Sequence, residues 1–400
     1  MSEQKIAEGF PSPGSSPSPG AAAIFGSFLR LGITAFGGPA MIAHIRELSV
    51  KRNKWVTEET FKDGVVICQS VPGATAMQMA AYVGLRARGV RGAVASYVGF
   101  GLPAFLLMLA LAVFYSGSRN VPLVLSLFQG LQVMVVAIVA NATFTFGRDI
   151  GKNPPNLALA AVAAALFWIG VSPFAVIVGA AIVGGLMFKD PAPPPPSGKK
   201  EGNAGRVPGP IVVYMILACA GVAGLYFSDR KLFRLAALML RIDLFAFGGG
   251  FASLPLMFHE VVNAMGWLDG KTFMDGIALG QVTPGPIIIT ATFVGYLVRG
   301  FPGALVATAA IFTPSFVVLV VVTPFFDRLK NARHFSGATR GVLASFVGLL
   351  CYMTIRFAVA VPWETSRILF GIAVVIALAR KINILYVVLV GSVLSVVVFR

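Results

Sequence analysis

FLRLGITAFGGP, from Phe28 to Pro39, returns as MLRIDLFAFGGG, from Met239 to Gly250. The phenylalanines before the glycine pairs, Phe36 and Phe247, stand 211 residues apart. Downstream, FKDGVVICQSVPG (Phe61 to Gly73) returns as FMDGIALGQVTPG (Phe273 to Gly285) at an offset of 212. VGLRARGVRGA (Val83 to Ala93) matches VGYLVRGFPGA (Val294 to Ala304), Pro103-Ala104-Phe105 matches Pro314-Ser315-Phe316, and Trp55 matches Trp267. Apolar helices resemble each other by chance in Leu and Val. Here Gly, Pro, Asp, Gln and Trp coincide as well, so the chain is an internal duplication.

The duplicated unit is apolar. Of 400 residues, 57% are hydrophobic and 12% charged, against about 25% charged in soluble domains. Mean hydropathy is +0.83. No soluble domain of this size has interior enough for that surface, so the composition reads as an all-α polytopic membrane protein. A water-soluble enzyme, a nucleic-acid binder and a secreted disulfide scaffold are excluded. The net charge of +16 belongs in short loops, where Lys and Arg set topology. Cys68, Cys219 and Cys351 lie in apolar stretches without metal-ligand spacing, and are expected to be buried thiols with no redox role.

The organisation follows from punctuation. Residues 1–20, rich in Pro, Ser and Gly, read as a disordered tail without a cleaved signal peptide. Residues 189–208, KDPAPPPPSGKKEGNAGRVP, read as a solvated linker. Between them lies a first repeat, 21–188. After the linker come a connecting transmembrane helix, 209–227, and a second repeat, 228–400. The stretches 157–188 and 367–398 each break in the middle, near Val171-Ser172-Pro173 and Arg380-Lys381, and read as pairs of short helices. Six segments per repeat and one connecting helix invert the second repeat. With the N-terminus inside, the basic loops 85–91, 148–156, 189–208, 326–337 and 380–382 share the cytoplasmic side. Loops 115–121, 298–302 and 356–366 lie opposite. Lys51, Arg52 and Lys54 fit this topology only if 21–43 and 61–84 are broken or re-entrant. Arg230, Lys231 and Arg234 fall outside against the rule.

The breaks are where chemistry is expected. Each repeat interrupts its first segment at glycines (Gly37, Gly38 and Pro39; Gly248, Gly249 and Gly250) and its second at Pro-Gly (Pro72 and Gly73; Pro284, Gly285 and Pro286). Irregular backbone at membrane depth survives only inside protein or along a wet cavity. Broken helices also leave free N–H groups and a positive dipole end, which bind anions without side-chain charge. Gln69 and Gln281 precede the Pro-Gly breaks at equal spacing and are candidate donors to an oxyanion. Asp63 and Asp275 match across the repeats, as do Arg30 and Arg241; with His44, these are candidate ion-pair or proton-coupling groups. Trp55 and Trp267 read as interface anchors, and Asn141 as a hydrogen bond between helices. No metal set, enzyme motif, cofactor signature or Walker motif is present in the sequence, which argues against catalysis and against ATP drive.

Taken together, FGGPAMIAHI, the Trp55 region, CQSVPG, FGGGFASLPL, FMDGIALGQVTPGP, TFVGYLVRGFPGA and IFTPSF resemble the chromate ion transporter family, over almost the whole chain beyond the tail. The resemblance implies two homologous domains of inverted topology in the bacterial inner membrane. It also implies export of chromate with resistance to it, and sulfate as the competing oxyanion. The glycine and Pro-Gly residues named above, with Gln69 and Gln281, fall on the family's motifs. Where the family's first repeat commonly has Pro-Gly-Pro, this chain has Pro72-Gly73-Ala74. Sulfate or another tetrahedral oxyanion, or an anion channel, is the alternative reading. Membrane lipid is an expected partner, nucleic acid is not, and homodimerisation is left open.

Overall fold

The computed structural model describes residues 19–36, 38–118, 121–151, 153–188, 209–326 and 333–399. Gly37, the expected tail up to residue 18 and the linker 189–208 lie outside them, as do Arg119, Lys152, Arg328 and Lys330. Among the described residues the structure is helical without strands, and five helices are long and apolar enough to cross a membrane.

The first repeat runs α1 (Ala21–Thr34), α2 (Gly38–Arg46), α3 (Glu58–Ser70), α4 (Thr75–Ser118), α5 (Pro122–Ile150), α6 (Pro154–Trp168) and α7 (Pro173–Met187). After α8 (Gly209–Ser228), the second runs α9 (Arg230–Phe245), α10 (Gly250–Phe258), α11 (Gly270–Val282), α12 (Thr290–Val322), α13 (Arg333–Ala360), α14 (Thr365–Ala379) and α15 (Ile384–Val398). The repeats agree in their irregularities too. Both α2 and α10 continue into a π-helical turn, Glu47–Arg52 and His259–Ala264.

The loops expected at 85–91 and 298–302 shrink to two-residue turns inside α4 and α12. Arg88-Gly89 and Arg299-Gly300 leave helical geometry, with both glycines at φ +62. Glycine adopts this left-handed backbone at no steric cost. On either side of each turn the helix closes on itself through paired glycines. A Cβ on Gly84 would stand 2.2 Å from the Gly92 carbonyl, and one on Gly295 2.3 Å from that of Gly303.

α3 and the first half of α4 form a hairpin whose tip is Pro72-Gly73. Gly64 lies against the Tyr82 ring, equally far from that tip on the other strand of the hairpin. In the second repeat Gly276 lies against Phe293, around the Pro284-Gly285 tip. Each arm has about 13 residues, or about 20 Å of helix, short of the ~30 Å hydrocarbon core. These are the re-entrant elements expected from the sequence.

The repeats interlock about an internal two-fold relationship. Thr143 on α5 and Thr354 on α13, equivalents at an offset of 211, share a hydroxyl hydrogen bond of 3.0 Å. α4 packs on α12, α1 on α4 and α9 on α12. At the chain's turns, Arg88 donates to the Pro19 carbonyl at 2.9 Å and Arg299 to Asp229 at 2.8 Å. The start of α9, with Arg230, Lys231 and Arg234, therefore lies on the same side as the Arg299 turn. α8 stands at the edge with Ile211 as its buried residue, presenting apolar surface of the kind a membrane covers.

Two expectations change, those for the cysteines and for Asn141. Cys68 is buried, but Cys219 and Cys351 are exposed on helix surfaces; all three are free thiols. Trp55 stacks on Phe28 at 6.3 Å and packs, like Trp267, against the core. Near Asn141 on α5, a cross-helix hydrogen bond is made by Thr143; Asn141 contributes its carbonyl to Thr145 within the helix.

Candidate functional site

The four breaks meet. The Gly73 amide donates to the Ala246 carbonyl at 3.0 Å, and the Gly285 amide to the Ala35 carbonyl at 3.0 Å. Each re-entrant tip thus docks on the broken first segment of the opposite repeat. The expectation that these two amides face an anion is corrected: carbonyls of the other repeat occupy them. Pro72 and Pro284, which donate no backbone hydrogen bond, sit at the same tips.

Beside this clasp, helix N-termini converge. Gly248 (φ +100) and Gly249 (φ +86) turn the chain into α10. A Cβ on Gly249 would lie 3.2 Å from the Thr75 hydroxyl at the start of α4, and one on Gly250 3.0 Å from Ile287, in the 3₁₀ turn before α12. The leading amides of these helices have no intrahelical acceptor, and their dipoles place partial positive charge at one locus. Gly38 begins α2 at the equivalent break, followed by Pro39.

The tips differ in support. Asp243, fully buried on α9, accepts from the Ser315 amide at 2.7 Å and the Ser315 hydroxyl at 2.6 Å; that hydroxyl also accepts from the Ala74 amide at 3.1 Å. A chain of hydrogen bonds thereby fixes the first tip to the second repeat. In the first repeat the equivalent positions are Gly32 and Ala104, which form no such chain. Gln78, fully buried, closes the first tip by donating to the Pro72 carbonyl at 2.7 Å, while its Oε1 has no partner. Gln281 is half-buried with its Nε2 unpartnered. Gln69 is exposed, so the paired glutamines do not occupy equal environments.

The paired charges also separate. Asp275 is buried and accepts from Tyr115 at 2.9 Å and Gln132 at 2.8 Å, whereas Asp63 is exposed. The cause is helix placement. α11 packs on α5 and α15, burying Phe273 through Gly280, while α3 rests on α4 and leaves Lys62, Asp63 and Gln69 exposed. Arg241 is held by the buried Glu260 carboxylate and lies 4.3 Å from the Phe174 ring centre, so it is not a spare cation for an anion. Arg30 and His44 are exposed. No group of three or more candidate metal ligands occurs among the described residues.

A family profile described as Chromate transporter matches residues 22–185 and again 233–396. The chain belongs to the chromate transporter family. It is 44% identical over 382 residues to an uncharacterized transporter of Methanocaldococcus jannaschii, covering 94% of each chain. It is 31% identical to a chromate transport protein of Cupriavidus metallidurans, covering 81% of this chain and 79% of that one. To a chromate transport protein of Pseudomonas aeruginosa it is 29% identical, covering 94% and 92%. No solved structure matches. Members of the family are multi-pass membrane transporters rather than enzymes, in keeping with the five spanning-length helices here.

Proposed function

We propose that this chain is a secondary transporter that exports chromate from the cytoplasm across the inner membrane and thereby confers resistance. Each of the two matched regions acts as one half of the carrier. The observation that supports this most is the meeting of the α10 and α4 N-termini at Gly249 and Thr75, beside the reciprocal clasp of the re-entrant tips. Convergent positive helix ends stabilise a tetrahedral dianion without a fixed counter-charge that would trap it.

In this reading Gly38, Pro39, Gly248, Gly249 and Gly250 shape the anion's path. Pro72, Gly73, Pro284 and Gly285 hold the tips that border it, and Gln281 supplies a side-chain donor. The unequal burial of Asp63 and Asp275 supports alternating access, with the two repeats holding opposite halves of the cycle. Sulfate shares the charge and shape of chromate and competes for the same path.

The test is flux in vesicles of both orientations, with pH gradient and potential varied separately. Uphill chromate movement driven by one of these gradients is expected, with sulfate inhibiting. Downhill flux alone, indifferent to both gradients, would make the protein a channel. Removing the Gln281 donor by Gln281→Leu should weaken binding about 5- to 150-fold, from about 1–3 kcal/mol.

A further inference from the structure

Away from the clasp, a cavity of about 200 Å³ opens among α5, α11, α14 and the end of α4. Its polar lining comes from Tyr115, Gln129, Gln132, Lys271, Asp275 and Arg367. Asp275 lies seven residues before the end of α11, about 10 Å of helix from the Pro284-Gly285 tip.

Arg367 is 8% exposed. One of its terminal nitrogens donates to the Pro362 carbonyl and the other to Gln129 Oε1 at 3.1 Å, but Nε has no partner. Among the described residues its nearest carboxylate, Glu364, stands 3.9 Å away and is itself 70% exposed. A buried guanidinium without a close carboxylate carries a desolvation penalty that only a counter-anion or full hydrogen bonding offsets. Lys271 lines the same cavity and forms no ion pair among the described residues. Against these two cations the cavity holds one buried carboxylate, Asp275, already engaged by Tyr115 and Gln132.

The backbone adds to the positive side. Lys271 and Arg367 sit in the first turns of α11 and α14, and Gln129 and Gln132 in the N-terminal half of α5. With Leu125, in the first turn of α5, also on the lining, three helix N-termini border the space. A water occupies about 30 Å³ of liquid, so the cavity has room for one four-oxygen anion with a few waters.

We propose that this cavity is a second oxyanion site, in which Arg367 and Lys271 hold a tetrahedral dianion and Gln129 donates its amide group. It rests on the reading of the chain as an oxyanion carrier and gives the anion a stopping place between the clasp and one surface. That surface carries the 361–364 turn, which the loop charges place opposite the cytoplasm. Both cations of the site come from the second repeat. Asn156 and Glu59 stand where Arg367 and Lys271 would be in the first.

The experiment uses purified full-length protein in detergent. Sodium sulfate and sodium chromate are titrated by calorimetry into wild type, Lys271→Gln, Arg367→Lys and Arg367→Gln. Separately, sulfate is tested for protection of Lys271→Cys against a cationic methanethiosulfonate. Expected are sulfate affinity about tenfold or more weaker in Lys271→Gln and Arg367→Gln, a smaller loss in Arg367→Lys, and slowed modification of Lys271→Cys. Arg367→Gln removes structural bonds, so if it unfolds, the exposed Lys271 variants decide. Unchanged affinity in Lys271→Gln and Arg367→Lys, together with no protection, overturns the site. Wild type that binds neither anion overturns it too. Chromate flux with an unprotected Lys271→Cys removes the cavity and leaves the transport reading standing. Sulfate protection without chromate flux does the reverse.

Discussion

Gly73 of the first repeat donates its amide to Ala246 of the second, and 212 residues later Gly285 donates to Ala35. The tip of each re-entrant hairpin is thus held by the broken helix of the other copy. The repeats are not two carriers side by side; neither tip is complete without its counterpart.

The clasp predicts unequal tolerance at the two tips. Both glycines are left-handed, at φ +119 and φ +105, where a side chain is strained. A Cβ on Gly73 would stand 2.0 Å from the Ser315 hydroxyl, and one on Gly285 2.9 Å from the Ala104 methyl. Left-handed strain of about 1–2 kcal/mol applies to both, with overpacking of about 1–3 kcal/mol heavier at Gly73. Thermal melting in detergent should rank Gly73→Ala as the more destabilised; equal melting temperatures would count against the clasp geometry.

Asp243 and Ser315 should behave as a unit. Ser315→Ala frees the Ala74 amide and one Asp243 oxygen, and Asp243→Ala frees the Ser315 amide. Each orphaned buried group costs about 1–3 kcal/mol. A double-mutant cycle should show a coupling of about 1.5–3 kcal/mol, as for hydrogen bonds to a charged group. Strict additivity would mean that the two side chains act separately.

The asymmetry of α3 and α11 is measurable by thiol labelling. Lys62 is exposed, while its equivalent Met274 is fully buried. A membrane-impermeant reagent should modify Lys62→Cys at least about tenfold faster than Met274→Cys, a difference of about 1.4 kcal/mol in opening free energy. Equal rates would mean that the two repeats are equally open.

The surface pair Arg46–Glu58, at 2.8 Å, makes a small acid-dependent contribution. The Arg46 hydrogen bond holds the Glu58 carboxyl below its ordinary value of 4.5. The sign follows: the contribution is present above pH 4.5 and fades as pH falls through the lower folded value. Glu58→Gln should therefore narrow its stability gap to wild type as the medium is acidified. A gap that widens in acid would contradict the assignment.

How much of this was legible in the sequence depended on repetition. The glycine and Pro-Gly breaks, the short helix pairs and the re-entrant arms could be read because each irregularity occurs twice at nearly one spacing. Gly and Pro also force such breaks by backbone geometry. The residues around the Arg367 cavity were not legible by that route. Arg367, Lys271, Gln129 and Gln132 come from three helices, and their counterparts Asn156, Glu59, Arg340 and Leu343 differ in chemistry. Matching across copies selects what the repeats share, and so passes over what one repeat alone has. It also pairs Asp63 with Asp275 and Gln69 with Gln281, although helix packing gives the partners different surroundings.

The most direct test of the central claim, an anion path at the meeting of the helix breaks, compares chromate flux in Gly249→Val and Gly179→Val at equal amounts of folded protein in vesicles. A Cβ on Gly249 meets Thr75 at 3.2 Å on a left-handed backbone, whereas one on Gly179 meets nothing within 4 Å. Loss of flux in Gly249→Val with near-normal flux in Gly179→Val is the predicted result. Equal flux in the two variants would contradict the account.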